Sequence, residues 1–106
     1  MPTGVNPGDD GVGTSTAGAA TVNHTGGTIT TESLSTASAS DYAFTLTNSV
    51  ISPGSVVLIS VGNGTNTTVP CYVHSVQVSN GQVTFKIRNA GGSALNGTLI
   101  IMFACL

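Results

Sequence analysis

The stretch that decides the fold is CYVHSVQVSNGQVTFKIRN, residues 71–89. Val83, Phe85 and Ile87 fall on one parity, and Thr84, Lys86 and Arg88 fall on the other. A period of two is that of a strand with one buried and one wet face. Before it, Tyr72, His74, Val76 and Val78 share a parity. Asn80-Gly81 stands between the two runs, and that pair is suited to a two-residue hairpin turn needing positive φ. The stretch therefore predicts an antiparallel hairpin.

The same period extends outward. In DYAFTLT, Tyr42, Phe44 and Leu46 alternate with Ala43, Thr45 and Thr47. Pro53-Gly54 marks a turn, and SVVLISV after it is a β-branched run of the kind buried on most of both faces. ATVNHT and GTITTESLST alternate weakly and are rich in Thr and Ser. GNGTNTTVP, Gly62 to Pro70, is expected to be a mobile loop between strands. Asn89 to Gly97 is rich in turn formers and leads into TLIIMFACL. There Leu99, Ile101, Phe103 and Cys105 make one apolar face, and Ile100, Met102 and Ala104 make the other apolar too. No segment sustains a helical period. Short strands with Gly, Pro and Asn turns predict an all-β fold, an antiparallel β-sandwich or jelly-roll-like domain. The expected core is Tyr42, Phe44, Leu46, Val57, Ile59, Val76, Val78, Val83, Phe85, Ile87, Leu99, Ile101 and Phe103.

Residues 1–17 are Gly, Pro, Thr, Ser and Asp with few apolar side chains. This composition predicts an extended N-terminal arm, ordered on a neighbour, followed by the domain at 18–106. At 106 residues one domain is the default. A chain of this size hides only roughly 65% of its unfolded surface, so its core is thin.

Charged residues make up 6% of the chain, against about 25% in an ordinary soluble protein. Its polar surface is Thr, Ser, Asn and Gly, which loses little solvation on burial and so suits a protein inside an assembly. Two basic residues and a net charge of −2 argue against nucleic acid and against a polybasic membrane contact. The first residues have neither a basic stretch nor an apolar one of a secretion signal, so Cys71 and Cys105 are expected to be reduced and packed as small apolar groups. On the same ground the Asn-X-Ser/Thr matches at Asn23, Asn63, Asn66 and Asn96 are read as chance in an Asn- and Thr-rich chain.

The acids Asp9, Asp10, Glu32 and Asp41 are scattered, and His24 and His74 sit in no ligand pattern. Asp41 reads as a strand start and His74 as a packed or hydrogen-bonded structural residue. GNGTNTT lacks the Lys and the spacing of a phosphate loop. No catalytic residue, metal site or cofactor is expected.

SASDYAFTLTNSVISPGSVVLISVGNGTN, followed by VQVSNGQVTFKIRNAGGSALNGTLIIMFACL, resembles small tailed-bacteriophage virion proteins in its order of strands and turns. It is similar to capsid decoration, or cement, proteins and to modules of phage fibres, over about residues 18–106. The resemblance implies a structural protein on the outer capsid surface of the virion, often a trimer, with the major capsid protein as partner. A fibre or spike module that binds a host receptor or glycan is the alternative. A doubly apolar last strand needs a second cover. Ile100 and Met102, with the arm's Val5 and Val12, are the candidate contacts to other copies or to the capsid.

Overall fold

The computed structural model describes residues 11–68 and 70–106. Among these residues eight strands run in chain order: β1 (Val12–Thr14), β2 (Ala19–Thr21), β3 (Gly26–Thr30), β4 (Ser40–Thr47), β5 (Val57–Asn63), β6 (Cys71–Ser79), β7 (Gln82–Asn89) and β8 (Leu99–Cys105). They form two four-stranded sheets, β1-β3-β8-β5 and β2-β4-β7-β6. We call the first sheet A and the second sheet B. The chain crosses between sheets at nearly every connection, and only β6 and β7 are consecutive partners in one sheet.

The hairpin at 71–89 forms as its sequence requires, with Ser79 opposite Gln82 across Asn80-Gly81. Only Gly81 is left-handed, at φ 78°. The turn is anchored from below, since Gly81 N–H donates to the Ile51 carbonyl and Asn48 N–H donates to the Gly81 carbonyl, both at 2.9 Å. The β7 alternation holds: Val83, Phe85 and Ile87 are buried.

One core joins the inner faces of both sheets. Ile29, Leu99, Ile101 and Phe103 come from sheet A, and Phe44, Leu46, Val83, Phe85 and Ile87 come from sheet B. Phe44 and Phe85 stack at its centre with ring centroids 5.1 Å apart. Ala20, Val22, Leu34, Ile51 and Leu95 complete it. These five and Ile29 were not in the expected core, because they lie in Thr-, Ser-, Gly- or Asn-rich segments with weak or no visible period. Of the expected core, Val57, Ile59, Val78 and Tyr42 are only partly buried against the cluster.

Val76 is a correction, being 43% exposed. The β6 register with β7 shifts between His74 and Gln77, and Ser75 there takes φ 57°. One extra residue reverses the parity of everything beyond it. Cys71 and Val73 face the core before the bulge and Val78 faces it after, leaving Tyr72, His74 and Val76 outside.

The fold is all-β, but neither sheet is purely antiparallel. β1 pairs parallel with β3, and β2 pairs parallel with β4. The expectation of an antiparallel or jelly-roll domain is met at the coarser level of two packed sheets. Residues 11–17, expected as the end of the arm, contribute β1, and Ser15 N–H donates to the Thr30 carbonyl at 3.0 Å. Residues 1–10, including Val5, lie outside the described residues.

The loop after β5 is pinned. Buried Asn66 donates to Asn63 Oδ1 at 2.9 Å and to the Thr68 carbonyl at 2.7 Å, and accepts from Asn96 N–H at 2.9 Å. Thr65 and Thr98 exchange two further bonds. Gly97 is required here, since a Cβ would strike Thr65 Oγ1 and lie 2.8 Å from Asn66 N. The mobile loop expected from its Gly and Thr content is thus hydrogen-bonded across to the segment before β8.

Candidate functional site

The two outer faces differ in chemistry. On sheet B the outward parity carries Asp41, Ala43, Thr45, Tyr72, His74, Val76, Gln77, Thr84, Lys86 and Arg88. On sheet A it carries Leu58, Ser60 and Gly62 from β5, Ile100, Met102 and Ala104 from β8, Thr28 and Thr30 from β3, and Val12 from β1. The registers place these in rows: Leu58 beside Ala104, Ser60 beside Met102 beside Thr28, and Gly62 beside Ile100 beside Thr30. Asp41, Lys86 and Arg88 are on the far face, and Glu32 is turned inward, so no described charge lies on this one.

The last strand resolves as its two parities suggest. Leu99 and Ile101 are fully buried and Phe103 nearly so, whereas Met102 is 40% exposed and Ile100 is half-buried on the outer face. Val12 is 63% exposed on the same face, at the β1 edge. Three of the four candidate contacts therefore share one surface, and Val5 lies outside the described residues. Sequence reasoning missed Leu58 and Val56, both 56% exposed, because SVVLISV reads as a run buried on both sides. Leu58, Ser60, Met102 and Ala104 line a shallow hollow of about 230 Å³.

No family model, curated protein or solved structure matches the chain. The assignment of a role therefore rests on the surfaces themselves.

Two polar clusters compete for attention. On sheet B, His74 Nε2 contacts Asp41 Oδ1 at 3.0 Å, His74 Nδ1 contacts Ser75 Oγ at 2.9 Å, and Arg88 lies 3.6 Å from the same Asp41 oxygen. The hydrogen bond from His74, with the nearby Arg88 guanidinium, holds the Asp41 carboxyl below the usual carboxylate range. The sequence of contacts is that of a nucleophilic serine chain, but the setting is not. The His74 and Asp41 side chains are 34% and 30% exposed, so water screens the pair, and Asp41 is shared with a cation. Charge stabilisation of a reaction needs a drier site. The cluster links β6 to β4 across β7, next to the bulge in β6.

The second cluster was not legible, because its members are far apart in sequence. Glu32 accepts from Ser15 Oγ, from Tyr42 O–H at 2.9 Å and from Gly18 N–H at 3.0 Å. Burial pushes the Glu32 carboxyl up, but these donors outweigh it and hold it below its ordinary value. The Tyr42 phenol is pushed up by burial and by the Glu32 charge. The cluster fastens residues 15–18 to the body of the domain.

Cys71 and Cys105 are unpaired thiols, half-buried against the core. Burial pushes the Cys71 thiol up, which keeps it protonated and apolar at neutral pH. Among the described residues, no group of three or more His, Cys, Asp and Glu is placed to hold a metal ion.

Proposed function

We propose that the chain is a non-enzymatic virion structural protein, a capsid decoration protein that seats on the outer surface of the shell and stabilises it. The observation that carries this reading is the outer face of sheet A, where Val12, Leu58, Ile100 and Met102 stand among small and hydroxyl side chains with no charge among the described residues, opposite the face of sheet B that carries Asp41, Lys86 and Arg88. A two-faced domain suits a clamp with one side on a lattice and one side in water. The sequence resemblance to decoration proteins points the same way.

Magnitudes favour a repeated contact over a single one. Burying the rest of Val12, Val56, Leu58 and Met102 is worth about 1 kcal/mol each, so about 4 kcal/mol in all. Association of two free bodies costs about 4–15 kcal/mol. One such face binds weakly, whereas several linked copies on one lattice bind tightly. A homotrimer in which Ile100 and Met102 lie at or beside the three-fold contact, held against the major capsid protein, meets that need.

The test is retention on shells. Purified chain added to capsids that lack it should pellet with them, and Met102→Asp should reduce the bound fraction at least tenfold without changing the circular dichroism spectrum. Equal retention of both proteins would overturn the reading.

One observation favours a second reading, a fibre or spike module that binds a glycan. Tyr72 is 51% exposed, beside His74 with ring centroids 5.9 Å apart. A sugar stacks on such a ring, and Tyr72→Ala should then abolish binding to host cells while leaving shell retention unchanged.

A further inference from the structure

The four sheet edges are not equally protected. β1 and β2 have three residues each, and β6 follows Pro70 and is broken by its bulge. Short strands, prolines, charges and bulges are the devices that keep edges from pairing with other chains. β5 has none of them. Val57–Asn63 is seven residues of VLISVGN in unbroken register with β8.

Its free groups can be assigned. Leu106 N–H donates to the Val56 carbonyl and Gly64 N–H donates to the Thr98 carbonyl, both continuing the β5–β8 register. The residues bonded to β8 are therefore Val56, Leu58, Ser60, Gly62 and Gly64, since these alternate. The N–H and C=O groups of Val57, Ile59, Val61 and Asn63 point to the open edge. The Val57, Ile59 and Val61 side chains face the core yet remain only partly buried, and Asn63 at the end of the strand is exposed. Among the described residues, no backbone group pairs with this edge of β5, and Val57, Ile59 and Val61 are left incompletely covered.

We propose that this edge pairs antiparallel with the β5 of a second copy around a two-fold axis, joining the two A sheets into one of eight strands. The strand is complementary to itself in the register centred on Ser60. Val57, Ile59, Val61 and Asn63 then supply every inter-copy hydrogen bond, pairing 57 with 63 and 59 with 61. On the inner face Ile59 meets Val61 of the partner copy, twice. On the outer face Leu58 meets Gly62 of the partner copy, where only the Met102 methyl lies near, 3.6 Å from a Cβ built at that glycine. Large against small on one face and apolar against apolar on the other is what a cross-strand pair needs. No described charge is brought to the seam. Of the residues counted toward a lattice seat this contact engages only Leu58, and it is argued from the strand edge, so it stands independently of the virion reading.

The test is a cysteine at the axis. Ser60 faces its own copy in a pair not bonded through the backbone, with Cα atoms about 4.5 Å apart, within disulfide reach. Under copper–phenanthroline as the oxidant, Ser60→Cys should form a 60–60 disulfide, identified by peptide mass, at least tenfold faster than Thr84→Cys on the outer face of sheet B. Val61→Pro removes an N–H aimed only at the open edge, so in the Ser60→Cys background it should abolish the crosslink and leave the circular dichroism spectrum unchanged. A folded Ser60→Cys protein that crosslinks no faster than Thr84→Cys, or a crosslink that survives Val61→Pro in a folded chain, would overturn the two-fold contact.

Discussion

Glu32 is the residue on which the N-terminal strands depend most directly. Its carboxylate gathers donors from Ser15, Gly18 and Tyr42, three points that the sequence gives no reason to connect. Replacing it with Ala removes the acceptor and should cost about 1–2 kcal/mol, at the modest end for bonds to a charged group because the side chain is only partly buried. Urea unfolding measures that loss. The pH dependence follows from the sign of the shift. Its folded value lies below the ordinary 4.5, so its contribution is present above about pH 4.5 and is lost as pH falls through the folded value. The wild type should therefore lose stability on acidification more steeply than Glu32→Ala, and parallel acid profiles would refute the role. Phe85 is the contrasting case, legible from period alone. Stacked on Phe44 and fully buried, it should cost about 3–5 kcal/mol when cut to Ala.

At the scale of elements, legibility tracked local period. β4, β7 and β8 show clean parity, and their inward residues stand as read. β6 did not, because a bulge is one extra residue with no marker here. Ser75 occupies a left-handed position that glycine more commonly fills. β2 and β3 showed only a weak alternation and β1 read as arm, because Thr, Ser and Gly lack the contrast that makes a pattern visible, and parallel pairing depends on partners distant in the chain. Gly27 shows what holds β1. A Cβ there would collide with the Gly11 backbone, whose carbonyl accepts from Thr28 N–H at 2.6 Å. Gly27→Ala should lift β1 from β3 while the core survives. Hydrogen exchange would show faster exchange at residues 12–15 and protection kept in β7 and β8; loss of protection throughout would show that β1 is integral to the fold.

At the scale of the molecule, composition carried the first half of the account and topology the second. Scarce charge suggested burial in an assembly, and among the described residues the fold places Asp41, Lys86 and Arg88 on the outer face of sheet B. It leaves Leu58, Ile100 and Met102 on a surface of sheet A that carries no described charge. Sequence reached Ile100 and Met102 because β8 is apolar on both parities. It did not reach Leu58, because an edge strand and a central strand look alike in a β-branched run. Ile100→Asp is expected to give a folded monomer by light scattering where the wild type associates. Unfolding instead would mean that Ile100 is covered within its own chain. The most direct measurement is electron microscopy of virions that carry this chain, with the sandwich fitted into the density. The account predicts copies spread over the outer shell with sheet A turned toward the capsid or neighbouring copies and sheet B toward solvent. Copies confined to the tail, or seated with sheet B against the shell, would contradict it.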